Sequence, residues 1–238
     1  MPEDELADEA RLDLLQHGDV DIEGRMPWSS NATFLVNVRN EQHCAQAIYK
    51  PLRGERPLWD FEPGLYRRER AAYLLSETMG FHLVPPTIVR EGPHGEGSLQ
   101  WFVEADHQEH YFTIYEKRED LHDRLQLMGV LDIVANNTDR KSGHCLLAHD
   151  DTIWGIDHGL CFAADFKLRT VIWEFGGQPL PDAALAPLKR LVKSVPLEIA
   201  TLLADDEVAA IQERAGWLLR IGQFPVDSSG RRYPWPLV

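Results

Sequence analysis

Apolar and polar positions alternate with a period of two through three early stretches of the chain. "DVDIEGRM", "TFLVNV" and "CAQAIYK" end at Lys50 and read as strands, with "PWSSN" and "RNEQH" as the hairpin loops between them. Ahead of them, "DELADEARLDLLQ" places Leu6, Ala10, Leu14 and Leu15 on one face, the pattern of a short amphipathic helix over 4–16 that ends at His17-Gly18. Residues 51–64 carry three prolines and two glycines and read as a loop. "LYRRERAAYLLSETMG" sets Leu65, Ala72 and Met79 at heptad spacing, a helix stopped by Gly80. "PPTIVREGPHGEG" then predicts a short strand flanked by turns, and "SLQWFVEA" a buried one.

The period lengthens in the second half. Leu121, Leu125, Met128 and Leu131 fall in helical register and predict a helix over 117–136. "HCLLAHDDTIWGIDHG" reads as two short strands around the turn Asp150-Asp151. An aromatic-rich loop from Phe162 to Phe175 leads to two helical stretches, about 182–203 and 205–220. The Pro-rich tail "FPVDSSGRRYPWPLV" is expected to wrap a surface. A strand-rich part followed by a helix-rich part, joined near Glu104 to His110, predicts an α+β bilobal protein. Residues 1–104 would form an N-lobe and 105–238 a C-lobe, with a cleft between them.

Composition narrows the partners. Asp and Glu number 38 against 24 Lys and Arg, a formal charge of −14, and no Lys/Arg run exceeds two residues. Such a surface repels nucleic-acid phosphates and anionic membranes. Three scattered cysteines, Cys44, Cys145 and Cys161, fit neither a disulfide framework nor a C-x-x-C zinc site, and point to a reducing cytoplasm. The N-terminus is acidic, unlike a signal peptide, and no stretch reaches the ~20 apolar residues of a membrane span. The expectation is a soluble cytoplasmic protein with 44% apolar residues, ample for a core.

Candidate chemistry sits in "LDIVANNTDRKSGHCLL" and "IDHGLCF". Phosphoryl transfer from ATP needs a Lys on the phosphates, a carboxylate to orient it, an Asp at the acceptor hydroxyl and oxygen ligands for a divalent metal. The chain offers these in kinase order: Lys50 at a strand end, Glu69 in the next helix, Asp139 after a later helix, and Asp157 in a tight Asp-His-Gly turn. Each has a plainer reading as a solvated flank, a surface Glu or a loop ion pair; their joint order carries the weight. A metal-dependent hydrolase using Asp132, His144, Asp157 and His158 is a competing reading.

"VLDIVANNTDR" and "IDHGLCF" resemble the catalytic and metal-binding segments of the type II phosphatidylinositol 4-kinases, within the phosphatidylinositol 3-/4-kinase-like family. "AIYKPL" is similar to that family's phosphate-Lys strand, and "YRRERAAYLLSETMGFHLVPPT" to its N-lobe helix and the strand after it. "GSLQWFVE" is similar to the strand entering its hinge. The likeness spans about residues 29–180, and the whole chain resembles a branch of small actinobacterial kinase-like proteins. It implies a protein-kinase-like fold, ATP with Mg²⁺ or Mn²⁺, and these roles. Lys50 meets the α/β-phosphates with Glu69 as its partner. Phe102, Val103 and Glu104 form the adenine hinge, with Trp101 beside it. Ser29, Ser30 and Asn31 cover the phosphates, Asp139 is the catalytic Asp and Asp157 the metal ligand.

One position departs from that pattern. The family has Asn where this chain has His144, so the imidazole would bind metal, hydrogen-bond a water or phosphate, or be structural, leaving Asn136 or Asn137 as an alternative ligand. The Cys-rich insert of the type II lipid kinases also has no counterpart, and the charge opposes an anionic membrane. The expected acceptor is therefore a hydroxyl on a protein or soluble small molecule, with Lys167 and Arg169 near it; an ATP-binding pseudokinase is the alternative.

Overall fold

The computed structural model describes residues 6–27, 29, 31–106 and 108–237. Five antiparallel strands form one sheet in the order β1-β2-β3-β5-β4: β1 Asp19–Arg25, β2 Phe34–Arg39, β3 Cys44–Pro51, β4 Thr87–Gly92 and β5 Gly95–Trp101. Alternation sorts its side chains. Val36, Val38, Ala45, Ala47, Tyr49, Ile88, Leu99 and Trp101 cluster with Leu14 and Leu15 of α1 (Asp8–His17), which lies across that face. Ala47 pairs with Trp101 and Lys50 with Ser98, so Lys50 projects from the opposite face. Trp101 packs into this core with the Arg11 guanidinium 5.3 Å from its ring centroid, and it also lines a cavity of about 570 Å³ with Phe102, Val103 and Glu104.

Helix α2, Leu65–Met79, follows the Pro-rich loop. Gly80 ends it in the left-handed conformation (φ 71°), with the amides of Gly80 and Phe81 bonded to Glu77 and Ser76 carbonyls. Its start has no side-chain cap of its own; the carboxylate of Glu55, reaching from the loop, accepts from the amides of Gly64 and Tyr66 at 2.8 and 3.0 Å. Ala71, Ala72, Tyr73, Leu75 and Met79 of α2 join the large core of the second half, with Leu125, Met128, Leu131, Val134, Ile211 and Leu218.

The helix expected over 117–136 is α4, His122–Ala135, and a further helix that the periodicity did not predict, α3 Tyr111–Lys117, precedes it. Arg118 separates the two: its backbone leaves the helical region (φ −128°, ψ 69°) while its guanidinium holds Asp120 and Asp151. The stretch expected over 182–203 also divides, into α5 Asp182–Lys193 and α6 Leu197–Ala200. Pro196 lacks an amide donor and pushes the residue before it out of helical geometry. Two short strands, β6 Cys145–Leu147 and β7 Ile153–Gly155, pair around the turn at Asp150-Asp151 as expected, and α7 spans Asp205–Ile221. The tail does wrap a surface. The Thr170 amide donates to the Arg232 carbonyl at 3.1 Å and the Ser142 amide to that of Leu237 at 2.8 Å.

Candidate active site

Lys50 leaves β3 on the face away from α1, and α2 presents Glu69 to it. Its ammonium donates to Glu69 Oε1 and, at 2.8 Å, to Asp157 Oδ1. Glu69 is buried, and its second oxygen accepts the His158 amide at 2.9 Å. One carboxylate thus fixes both the lysine and the turn that carries Asp157. Burial opposes the charge on Lys50, but Asp157 and Glu69 more than offset it, and its pKa rises. In return, Lys50 holds Asp157 well below the usual carboxylate range. Asp157 has φ 60°, a left-handed conformation that costs a non-glycine residue energy and that other contacts must hold in place.

The opposite wall comes from the loop after α4. Asn136 turns left-handed (φ 50°) at the end of α4. Its amide donates to the carbonyls of Ala163 and Asp165, and its oxygen accepts the Lys167 amide. Asn137 donates to Asp132 Oδ1 and accepts the Asp139 amide. Both asparagines are therefore committed to shaping the loop and neither is a free metal ligand. Asp139 lies across from Lys50 with Lys141 Nζ 3.2 Å from its Oδ2. Burial pushes the Asp139 carboxyl up, partly countered by Lys141.

Arg140 and Asp132 lie beneath, both with no measurable exposure. The Arg140 fork bonds both oxygens of Asp132 at 3.0–3.1 Å, the carbonyls of His144 and Ile156, and His158 Nε2 at 2.6 Å. Thr170 donates to Asp132 Oδ2. This pair locks the loop, the Asp157 turn and the segment after it together, and it removes Asp132 and His158 from chemistry. Among the described residues no group of three or more His, Cys, Asp or Glu is placed to hold a metal. The hydrolase reading loses its ligand set on these grounds.

His144 has a defined tautomer. Its Nδ1 lies 3.0 Å from the Asp139 carbonyl, which can only accept, so Nδ1 carries the proton. The Lys141 amide is 3.5 Å from the same nitrogen, at the limit of a hydrogen bond. The Nε2 lone pair therefore faces Asp157 Oδ2 at 3.5 Å. Burial lowers the His144 pKa to about 4, against the pull of Asp157, so the ring is neutral near pH 7.

Lys50, Glu69, Asp139, His144 and Asp157 line one cavity of about 380 Å³, together with Ser29, Asn31, Lys141 and Glu55. Ser29 bonds Thr33 at 2.7 Å, and the Asn31 oxygen accepts the Arg56 amide. Ser30 lies outside the described residues. Phe102, Val103 and Glu104 follow β5 without regular structure, the Phe102 amide bonded to the Gln46 carbonyl. Sequence reasoning had passed over Lys141, Glu55 and the Arg140 hub. For Lys141 and Arg140 the signal was the run Asp139-Arg140-Lys141, which by itself reads as an ordinary charged loop.

A family model for phosphatidylinositol 3- and 4-kinase matches residues 65–204, more than half of the chain. The chain belongs to the phosphatidylinositol 3- and 4-kinase family. The matched span takes in Glu69, Asp139, His144 and Asp157 but begins after Lys50. Protein Rv2133c of Mycobacterium tuberculosis is 35% identical to this family member over 260 aligned positions, covering 94% of each chain. Phosphatidylinositol 4-kinase gamma 4 of Arabidopsis thaliana is 32% identical over 138, covering 47% of this chain and 24% of the plant protein. Among solved structures, the Golgi casein kinase with Mn/ADP bound gives a TM-score of 0.57 at 15% identity, covering 98% of this chain and 81% of that one. Hydra Fam20 with sugar gives 0.55 at 12% identity, covering 89% and 87%. The likeness establishes a protein-kinase-like fold for this family member, with a β-rich N-lobe and a helical C-lobe.

Proposed function

We propose that the chain is an ATP-dependent phosphotransferase that passes the γ-phosphate to a hydroxyl on a protein or a soluble small molecule. The observation that carries this is the Lys50 ammonium seated between Glu69 and Asp157 on one wall of a cavity whose other wall holds Asp139 and Lys141. Lys50 and Lys141 supply positive charge where phosphates would lie, and the raised basicity of Asp139 suits a group that takes a hydroxyl proton. Phe102 to Glu104 supply the hinge, and Ser29 to Asn31 the cover. Residues 1–104 and 105–238 serve as the two lobes.

The donors present fit a divalent cation. Two lone-pair atoms, Asp157 Oδ2 and His144 Nε2, face one another at 3.5 Å with no proton between them. Asp157 and His144 would hold the ion, nucleotide phosphates would complete its shell, and the metal would supply charge neutralisation; an imidazole ligand favours Mn²⁺ over Mg²⁺.

The acceptor assignment rests on charge and on a second cavity. The net charge of −14 opposes an anionic membrane, and no helix among the described residues is long and apolar enough to cross one. A space of about 640 Å³ adjoins the phosphate cavity through Glu55, Arg56, Leu58 and Leu65, and is walled by Trp59, Phe61 and Lys167. The Lys167 ammonium sits over both rings, 5.7 and 5.5 Å from their centroids.

Asp139→Asn should lower γ-phosphate transfer or hydrolysis by about 10²–10⁴-fold while ATP affinity changes little, measured by radiolabel transfer and by calorimetry. No ATP binding by the parent chain with either metal rejects the proposal. ATP binding with no transfer or hydrolysis, even in cell lysate, leaves a nucleotide-binding regulator instead.

A further inference from the structure

A cavity of about 610 Å³ lies in the C-lobe among residues unrelated to the chemistry above. Three aromatic side chains, Phe166, Trp173 and Trp217, and three arginines, Arg214, Arg220 and Arg232, stand in its wall. Arg214, on α7, is the informative one. It is only 6% exposed. Its Nε donates to the Val134 carbonyl at the end of α4, and Nη1 to that of Ala163. Nη2, the remaining nitrogen, is buried and has no partner. A buried guanidinium nitrogen left unpaired is costly, and native proteins rarely leave one so.

Neither of the other two arginines relieves it, and the carboxylates that attract this cluster, Glu207 and Glu213 at Arg214 and Asp227 at Arg232, act without a close ion pair. No carboxylate oxygen lies within 4.0 Å of the Arg214, Arg220 or Arg232 guanidinium among the described residues. Two acidic residues, Glu213 and Asp227, also border the cavity. Asp227 is already committed to its own turn, accepting from Ser229 N and Oγ and from the Arg232 amide. Glu213 is exposed on α7. The aromatic walls are held in place: Phe166 and Trp217 have ring centroids 6.1 Å apart, Arg232 Cζ sits 5.0 Å from the Phe166 centroid, and Trp173 Nε1 donates to the Arg232 carbonyl. A volume of this size suits a small molecule, and flat apolar walls beside guanidiniums without a close ion pair suit one that carries an oxyanion on a planar apolar body.

We infer that this cavity is a second ligand site, which takes a small organic anion with its carboxylate or phosphate on Arg214, Arg220 and Arg232 and its ring among Phe166, Trp173 and Trp217. The site does not depend on the phosphotransfer reading. It is, however, physically joined to the catalytic loop. Arg214 and Asn136 donate to the same Ala163 carbonyl, and Asn136 brackets Phe166 by its bonds to Asp165 and Lys167.

Phenyl phosphate, benzoate and the uncharged benzyl alcohol are the probes, titrated into the full chain while the indole N–H signals of Trp173 and Trp217 are followed by nitrogen-proton NMR. A Lys50→Ala background keeps the phosphate probe out of the catalytic cavity. At least one of the two anions should shift these indoles saturably, and benzyl alcohol should not. Whichever anion binds more tightly identifies the head group, phosphate or carboxylate. Arg214 also caps α4, so its replacement risks unfolding. The exposed pair Arg220→Gln and Arg232→Gln should instead weaken the anion by about tenfold or more with an unchanged melting temperature. Equal binding of benzyl alcohol, no shift with either anion, or full affinity in the double variant would each overturn the assignment.

Discussion

His144 points its protonated nitrogen at a backbone carbonyl and its bare one at Asp157. A cation or a donated hydrogen would relieve two facing lone pairs, and under the proposed function that cation would be the nucleotide's metal. An asparagine there would offer a harder oxygen. His144→Asn should keep phosphotransfer but lower the preference for Mn²⁺ over Mg²⁺ by about tenfold, a size seen when a metal's close surroundings change, measured as ATP affinity with each ion in turn. Total loss of activity would instead give the ring a role of its own. At this scale the sequence was informative wherever a residue type carries its chemistry. Lys50, Glu69, Asp139 and Asp157 stood in kinase order, and the fold gathers them around one cavity. It was silent on Arg140, because a buried guanidinium with six bonds and an exposed one in a loop are the same letter. Trp101 kept the place its sequence position suggested, lining a cavity together with Phe102, Val103 and Glu104.

Among the elements, α2 decides most. It carries Glu69, yet its apolar side packs into the C-lobe core through Ala71, Ala72, Leu75 and Met79. Arg68 binds Glu207 of α7 at 2.6 Å and the Cys161 carbonyl at 2.7 Å, and Arg190 of α5 reaches the Thr78 carbonyl. Swinging α2 outward would open that core, so the Lys50–Glu69 pair is made in advance. Native-state hydrogen exchange should find the α2 amides as protected as those of α4, because both open only with the same core. Fast exchange in α2 beside slow exchange in α4 would contradict this. The helical period and Gly80 made α2 legible beforehand. Helix α3 and the break at Pro196 were not read: α3 has only seven residues, too few for its period to stand out, and apolar spacing runs on past Pro196.

On the scale of the whole molecule, the two-part plan was legible because the apolar period changes from two to helical spacing between Trp101 and Leu121. What periodicity could not convey is how distant segments close on one another. Asp132 and Arg140 are the clearest case. The buried pair joins α4, the loop of Asp139 and the Asp157 turn, and Arg140→Met should cost about 3–5 kcal/mol by leaving Asp132 charged and unpaired, read as a lowered denaturant midpoint. The tail is the other. Removing residues 231–238 takes away the carbonyls that hold Thr170 and Ser142, and should lower the rate of transfer more than it lowers the melting temperature, in paired kinetic and thermal measurements. These bonds also set an order of assembly. Synthesis runs from the N-terminal side, so the loop of Asp139 is made before the tail whose carbonyls hold Ser142 and Thr170. A chain cut short before Arg232 would carry every residue named in the cleft and still lack the clasp that holds them in register. The residues that set the geometry of the cleft thus include some that never line it, bonded through their backbone carbonyls to Thr170 and Ser142.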